Sequence, residues 1–370
     1  MRLLPNDLGL YVHIPFCEKK CAYCNFYSFP ECLEKTESYA LKLKEEIFNR
    51  GAEIKRPVVS LYVGGGTPTV LRAETLAGII TAAKEAFNVT PDAEITVEAN
   101  PADDLLYTFK TLKKAGVNRV SLGVQTAVEK ESKALGRRHS FADVVRTVED
   151  IKVAGIDNFS VDLMLGIPYQ TRESLDESIN AVLGLAPQHI SAYILSLEEG
   201  TPLYNSHLVN FLPSEDQTAA FYEQLSLRLK AAGYEHYEIS NFAKTGFRSR
   251  HNTRYWKCEE YLGFGAAAHS FFEGKRFFCP PDIELFLDSP TYTADGEGGD
   301  DAERLMLGLR LIEGVRLDDF SGDKTALISE AKRLEDAGLC KLTENNLSLT
   351  EAGMLISNDI ISRLMCRLEE

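Results

Sequence analysis

Three cysteines within eight residues constrain this chain more than any other feature: Cys17, Cys21 and Cys24 follow directly after a strand-like run. A loop of this length can turn three thiolates toward one point, as an iron–sulfur cluster or a zinc ion requires. Three ligands on a cluster of four irons leave one iron open to a small chelating molecule. A structural zinc ion needs a fourth protein ligand, and the nearest candidates, His13 and Cys32, give no familiar zinc spacing. The pattern therefore favours a [4Fe-4S] cluster, with zinc as the alternative.

Composition is typical of a soluble globular protein, with 370 residues, 44% hydrophobic and 26% charged. This length fits one barrel of roughly 250 residues plus an appendage. A net charge of −15 argues against nonspecific binding to nucleic acid or anionic lipid, so we expect membrane contact to be at most indirect. Residues 1–7 carry no apolar signal segment, and the eight cysteines favour metal or redox chemistry over disulfides, so we expect a cytoplasmic protein.

Apolar, β-branched runs alternate with segments of helical periodicity through the first two hundred residues. Two helix ends repeat one pattern, in which Gly116 or Gly155 supplies a left-handed turn and a strand follows. Six strand–helix units of this kind predict an α/β fold with parallel strands and right-handed crossovers, whose ligand sites lie at the carboxyl ends of the strands. The six predicted strands lie at 8–14, 58–63, 94–99, 119–123, 158–163 and 189–196.

The rest of the chain divides into an irregular segment and a terminal domain. Residues 213–232 predict one long amphipathic helix, and 291–301 is the best linker candidate. Beyond the linker we predict a small helical, winged-helix-like domain that serves packing or interaction rather than DNA binding, with helices at 302–311, 327–337 and 351–368 and a hairpin at 341–350. The sequence thus predicts three parts, at 1–200, 201–295 and 296–370.

Polar residues recur where the predicted strands end. The run 64–66 is Gly-Gly-Gly, which lets the backbone approach a ligand and turn its amides toward a charged group. It is not a phosphate-binding P-loop, because no Gly-Lys-Ser/Thr follows. Glu98, Gln125 and Asp162 lie at the next three strand ends, and Arg137 can pair with a carboxylate in bidentate fashion. We expect these side chains to share one ligand site.

The order Cys-x3-Cys-x2-Cys, with Tyr23 before the third cysteine, resembles the signature of the radical S-adenosylmethionine (SAM) superfamily. In that superfamily the methionine amino and carboxylate groups chelate the open iron. The chain is also similar, over nearly its whole length, to the oxygen-independent coproporphyrinogen oxidases and their relatives, HemN and HemW, through the runs 10–17, 64–69, 97–101 and 163–171. The resemblance implies an incomplete (β/α)6 radical SAM barrel, a family-specific extension packing on it and a HemN-type C-terminal domain.

Residue roles follow from the same resemblance. It implies that Cys17, Cys21 and Cys24 hold the [4Fe-4S] cluster. It further implies a SAM site lined by Tyr11, Tyr23, Gly65, Gly66, Thr67, Glu98, Gln125, Arg137 and Asp162.

Two departures separate the chain from the coproporphyrinogen oxidases. Those enzymes carry a fourth cysteine two residues after the third, where this chain has Phe26, and a longer segment before the cluster strand. Residues 250–256 instead match the His-Asn-x-x-Tyr-Trp motif of the HemW branch, the haem chaperones. The resemblance implies His251 as a haem ligand, and a neutral imidazole suits haem iron. His269, which follows the run Gly-Ala-Ala-Ala, is a second candidate. Two aromatic side chains can stack on the macrocycle and two arginines can pair with its propionates, namely Tyr255, Trp256, Arg250 and Arg254.

The leading hypothesis is a haem chaperone on a radical SAM scaffold that passes haem to apo-haemoproteins such as respiratory oxidases. We expect no coproporphyrinogen oxidase activity. The alternatives are that activity itself, the decarboxylation of coproporphyrinogen III, or another radical modification of a tetrapyrrole. The expected cofactors are a [4Fe-4S] cluster, SAM and haem, and we expect no nucleic-acid partner.

Overall fold

A computed structural model describes residues 6–368 of the chain. Residues 1–5 lie outside that range. They make up most of the segment from which we predicted that the sequence carries no signal peptide. The described backbone forms one 12-stranded sheet and one three-stranded sheet. No helix in residues 6–368 combines the length and the apolar character that crossing a membrane requires.

The long sheet contains β1 (Leu8–Ile14), β2 (Pro57–Gly65), β3 (Asn88–Ala99), β4 (Arg119–Gln125), β5 (Asn158–Leu165), β6 (His189–Ile194), β7 (Glu235–Glu238), β8 (Asn241–Ala243), β9 (Tyr261–Phe264), β10 (His269–Phe272), β11 (Lys275–Phe278) and β12 (Thr293–Glu297). The short sheet contains β13 (Val315–Arg316), β14 (Cys340–Leu342) and β15 (Asn346–Leu349). The helices are α1 (Thr36–Gly51), α2 (Ala73–Ala86), α3 (Leu106–Ala115), α4 (Glu129–Ala134), α5 (Phe141–Val153), α6 (Arg172–Leu185), α7 (Glu215–Ala231), α8 (Arg250–Trp256), α9 (Ile283–Asp288), α10 (Asp301–Gly308), α11 (Thr325–Asp336), α12 (Glu351–Leu355) and α13 (Ser357–Leu368).

Strands β1 to β6 are parallel neighbours in chain order, which confirms the predicted α/β fold. All seven residues of β4 are buried, as expected for a parallel strand with both faces covered. Gly116 and Gly155 end their helices at φ of +112° and +79°, so the predicted left-handed turns are confirmed. Ser140 and Asp143 form a capping box at the start of α5.

Helix α8 lies against the opposite end of these strands from the cysteine loop. Gly9, Ser60 and Glu94 form one row across β1, β2 and β3, several residues before those strands end. Glu94 accepts hydrogen bonds from the backbone N–H groups of Arg250 and His251, both at 3.0 Å. A buried carboxylate from β3 therefore satisfies two of the free amides at the start of α8.

The C-terminal segment has its own apolar core, formed mainly by α10, α11, α13 and the short sheet, which confirms a small helical C-terminal unit. Two backbone hydrogen bonds join it to the rest: Ile239 donates to Arg310 at 3.0 Å, and Ile312 donates to Tyr237 at 3.1 Å. The boundaries predicted at residues 200 and 295 stay predictions.

The predicted linker at 291–301 is wrong in its centre, because Thr293–Glu297 forms β12 and pairs with β11. All five residues of β12 are exposed on an edge of the sheet. An edge strand exposed on both faces has no alternation of apolar and polar residues, so its composition is that of a loop. Sequence patterns also do not distinguish β7 to β11 or the short helix α8 from their surroundings.

We expect Glu94→Ala to loosen α8. Loss of the carboxylate leaves two N–H groups at the helix start without an acceptor, and because that of His251 is buried this costs about 1–3 kcal/mol. Native-state hydrogen exchange at the amides of Arg250 and His251 should show a free energy of opening lower by that amount. Glu297→Ala on exposed β12 is the control, and equal effects of the two substitutions would contradict this assignment.

Candidate functional site

The cysteine loop follows β1 and is fixed by backbone hydrogen bonds on several sides. The N–H of Thr67, after the end of β2, donates to the Phe16 carbonyl at 2.7 Å. Further along the loop, the N–H of Ala22 donates to Leu135 at 3.0 Å, and its carbonyl accepts from Leu203 at 2.8 Å. The loop geometry is therefore set by three distant segments of the chain.

The three thiols lie close enough to influence one another electrostatically. Cys17 Sγ lies 3.4 Å from Thr67 Oγ1, and Arg137 Nη1 donates to Cys21 Sγ at 3.7 Å. Burial raises the pKa of the Cys17 and Cys24 thiols, so a bound cation is needed to hold them as thiolates at neutral pH.

Within the described residues, no three His, Cys, Asp or Glu side chains group closely enough to hold a single metal ion. A four-iron cluster is larger than an ion, and its ligand sulfurs stand further apart. Two of the three sulfurs have a hydrogen-bond donor beside them, Thr67 at Cys17 and Arg137 at Cys21. Such donors stabilise the negative charge of a bound iron–sulfur cluster. The residues present thus fit an iron–sulfur cluster better than a zinc ion.

The glycines at the end of β2 are required by close packing. Gly65 has φ of +112°, and an added Cβ would lie 2.5 Å from the His13 ring. A Cβ on Gly66 would lie 2.4 Å from the Phe16 carbonyl oxygen. The Gly65 amide donates to Glu98 Oε2 at 3.0 Å, and the Gly66 amide donates to a β1 carbonyl at 2.8 Å. In this conformation both amides bind protein groups rather than pointing to a ligand.

Partly buried acceptors lie at the carboxyl ends of β3 to β5. Glu98 accepts from Tyr62 OH at 2.7 Å, and burial, with the charge of Asp162 adding to it, raises the pKa of Glu98 to about 7. Burial likewise raises the pKa of Asp162 to about 6. Asp162 Oδ1 and Gln125 Oε1 have no hydrogen-bond partner among residues 6–368, and Gln125 has a φ of +71°. Two buried acceptors without donors fit a ligand that brings hydroxyl or ammonium groups.

Arg137 bridges the cysteine loop and β4. Its guanidinium donates to Cys21 Sγ and to the Gly123 carbonyl, and it forms no carboxylate ion pair within residues 6–368. Asn100 Nδ2 donates to Thr67 Oγ1 at 2.7 Å, so Asn100 supports the hydroxyl that contacts Cys17. Neither Asn100 nor Tyr62 was among the predicted site residues. The position of Asn100, two residues after Glu98 at the same strand end, was the sequence feature that could have predicted its role.

The remaining predicted residues lie around the same space. Tyr11 OH lies 2.9 Å from His13 Nδ1, and the Tyr11 ring stacks on Tyr62 with centroids 6.3 Å apart. Tyr23 packs on a small apolar cluster that includes Leu135 and interacts electrostatically with Arg137 and Asp162. The structure therefore brings the residues predicted for SAM to one end of the barrel. Their individual contacts with a ligand stay predictions.

His251 lies on the far side of the residues predicted for SAM, where helix α8 packs against the strands. Its Nδ1 lies 2.9 Å from Ser60 Oγ and its Nε2 lies 2.8 Å from Tyr255 OH, while its ring stacks on Tyr62 at 5.3 Å. The side chain is 1% exposed, and burial lowers its pKa to about 3, so the ring is neutral. Neither nitrogen is available to iron unless one of these hydrogen bonds breaks. The alternative, His269, is exposed on β10.

The other residues predicted to surround haem lie in different environments in the structure. Tyr255 turns into the barrel with His251. Arg254 is buried and pairs with Asp7 at 2.8 Å, so it is not free for a propionate. Arg250 donates to the Asp92 carbonyl at 2.7 Å and keeps about half its side chain exposed.

Comparisons with known proteins place this geometry in context. The family model of the Radical SAM superfamily matches residues 11–182, and that of the HemN C-terminal domain matches residues 302–356. The chain is 35% identical to "Heme chaperone HemW" of Bacillus subtilis, over 97% of this chain and 99% of that protein. It is 34% identical to the protein of the same name from Lactococcus lactis, over 98% of each.

A mitochondrial protein and one solved structure extend the comparison. "Radical S-adenosyl methionine domain-containing protein 1, mitochondrial" of Bos taurus is 31% identical over 98% of this chain and 88% of its own length. The structure of coproporphyrinogen III oxidase (HemN) from Escherichia coli superposes with a TM-score of 0.84 at 22% identity, covering 96% of this chain and 89% of that one. At this identity the superposition shows a shared fold.

We expect Gly66→Ala to lower the occupancy of the cluster. The added methyl group must displace the Phe16 carbonyl, which precedes Cys17 directly, and so shifts the first thiol. Iron and sulfide content after anaerobic reconstitution should fall at least about twofold, since ligand geometry sets metal affinity. Gly184→Ala is the matched control, because its Cβ meets nothing within 4 Å. Equal iron content in both variants would contradict the role given to Gly66.

We expect His251 to make stability fall in mild acid. Its pKa of about 3 in the folded chain lies below the value near 6.5 in the unfolded chain, so the unfolded state binds more protons between these values. Stability from this group is complete above pH 6.5 and falls as the pH drops, by about 1.4 kcal/mol at pH 5.5.

Comparing wild type with His251→Gln isolates this contribution from that of other histidines. Urea unfolding at pH 7.5 and pH 5.5 should show the stability difference between the two proteins shrinking by about 1.4 kcal/mol at the lower pH. A difference that does not change with pH would mean that His251 is not buried in its neutral form.

Proposed function

Because the chain belongs to the HemW family of radical SAM proteins, we propose that it binds haem and passes it to apo-haemoproteins. The observation that carries this proposal is the full-length similarity to two bacterial proteins named haem chaperone, at 35% and 34% identity. Both family models fall inside that full-length match. The scaffold carries a [4Fe-4S] cluster and SAM, as its superfamily implies.

We propose that Cys17, Cys21 and Cys24 hold this cluster, with Thr67 and Arg137 donating to the sulfurs. When bound, the cluster and SAM supply one-electron chemistry. The protein's own part is to fix the loop, to neutralise thiolate charge and to limit access of water to the thiols, of which Cys17 is buried.

We propose that SAM occupies the space between the cysteine loop and the strand ends. The unpartnered acceptors of Gln125 and Asp162 would accept hydrogen bonds from it, and Glu98 would orient its polar groups. Around these three lie Tyr11, Tyr23, Gly65, Gly66, Thr67 and Arg137. Orphaned acceptors in a partly buried site support a polar, hydrogen-rich ligand.

Coproporphyrinogen oxidation is the second candidate, supported by the fold shared with HemN. Against it stands Phe26 at the position where those enzymes carry a fourth cysteine. We propose that the partners are apo-haemoproteins such as respiratory oxidases. We also propose that the protein acts in the cytoplasm. All eight cysteines are free, which supports a reducing compartment.

Two assays on reconstituted protein separate the candidates. We expect haem to bind with a stoichiometry near one per chain, seen as a shifted Soret band. We also expect haem to transfer from this chain to apomyoglobin faster than it transfers from serum albumin to apomyoglobin. We expect no protoporphyrinogen from coproporphyrinogen III with SAM and a reductant under anaerobic conditions. Enzymatic turnover of coproporphyrinogen, or haem binding too weak to saturate at micromolar haem, would overturn the proposal.

A further inference from the structure

A cleft of about 550 Å³ lies between α8 and the C-terminal unit. One wall comes from α8 and the residue after it, with Trp256 and Lys257, and the facing wall comes from the C-terminal unit, with Arg304 and Phe320. The volume is within the range of small-molecule and cofactor sites, roughly 300–1,000 Å³. Among the lining residues in 6–368 there is no histidine, cysteine or methionine, so the cleft does not fit haem iron.

The cleft concentrates positive charge in a chain whose net charge is −15. Six basic side chains line it, namely Arg248, Arg250, Arg254, Lys257, Arg304 and Arg316. The lining carboxylates are Asp7 and Glu259, which pair with Arg254, Glu313, which pairs with Arg248, and Asp319.

Two of these cations, Lys257 and Arg304, form no ion pair within 4 Å in the described part of the chain. Lys257 is exposed, whereas Arg304 is partly buried. A charged group that is partly removed from water is stabilised by an opposite charge. One cation on each wall is thus available to an anionic ligand.

Aromatic and apolar side chains share the cleft with these cations. Trp256, the only tryptophan of the chain, is partly buried, and the Arg310 guanidinium lies 5.6 Å from the centroid of its ring. The facing wall adds Leu311 and Val315. Tryptophan rings stack on the flat faces of nucleic-acid bases, because every base has a π-face. The cleft therefore combines a stacking surface with two unpaired cations.

We propose that this cleft binds a nucleoside triphosphate, with the base on Trp256 and the phosphates between Lys257 and Arg304. A polyphosphate carries its charge on several oxygens, so cations on opposite walls can hold one chain of phosphates, and the guanidinium can do so in bidentate fashion. The ligand then contacts both walls and ties α8 to the C-terminal unit. This site is separate from the strand-end residues assigned to SAM.

The single tryptophan makes the test direct. ATP added to the full-length chain should quench Trp256 fluorescence and saturate at one ATP per chain, and calorimetric titration should give the same stoichiometry. Adenosine and inorganic tripolyphosphate should each bind at least tenfold more weakly than ATP, because each offers only one of the two contacts.

Charge reversal in the cleft tests the phosphate contacts. The double variant Lys257→Glu/Arg304→Glu should bind ATP at least tenfold more weakly than wild type. Arg172→Glu/Lys332→Glu makes the same charge change at exposed positions on α6 and α11, and its affinity should stay within threefold of wild type. Circular dichroism of each variant checks that a weaker signal does not come from unfolding.

S-adenosylhomocysteine, which carries the same adenosine as SAM, distinguishes the cleft from the strand-end site. It should not displace ATP, and displacement would overturn the assignment. Equal weakening by both double variants, tripolyphosphate binding as tight as that of ATP, or absence of saturable binding at millimolar ATP would overturn it as well. None of these results bears on haem binding, so the proposed function is tested separately.

Discussion

The backbone of the cysteine loop and the chain after β2 lie so close that no side chain fits between them. The carbonyl of Phe16 accepts from Thr67 N–H, and the same oxygen would lie 2.4 Å from any Cβ at Gly66. This contact sets where the first thiol points, and Thr67 then reaches that thiol with its hydroxyl. The geometry of the cluster loop therefore depends on a glycine nearly fifty residues away from it.

Local patterns made much of this fold predictable. The parallel strands were visible as apolar runs, because a strand covered on both faces has few polar residues. The capping box at Ser140 and the turns at Gly116 and Gly155 depend only on neighbours within a few residues. Strand ends gather at one edge of a parallel sheet, so Glu98 and Asp162 could be assigned to one site before their contacts were known.

Contacts between distant segments could not be predicted in this way. The His251 motif indicated a metal ligand, yet its ring nitrogens bond to Ser60, 191 residues away, and to Tyr255. The start of α8 is held by Glu94 through two backbone amides, a contact that no local pattern reveals. The prediction of a linker at β12 was wrong for a different reason, because only pairing with β11 distinguishes this exposed strand from a loop.

Glu94 and Glu98 belong to the same strand and face opposite ends of the barrel. Four residues of extended chain separate them, roughly 13 Å. One holds the start of α8 through two amides, and the other holds the Gly65 amide beside the cysteine loop. A strand is stiff along its length, so a displacement of β3 along its axis moves both carboxylates together. Helix α8 and the glycine turn are thus both held by carboxylates of β3, one near each end of the strand's buried part.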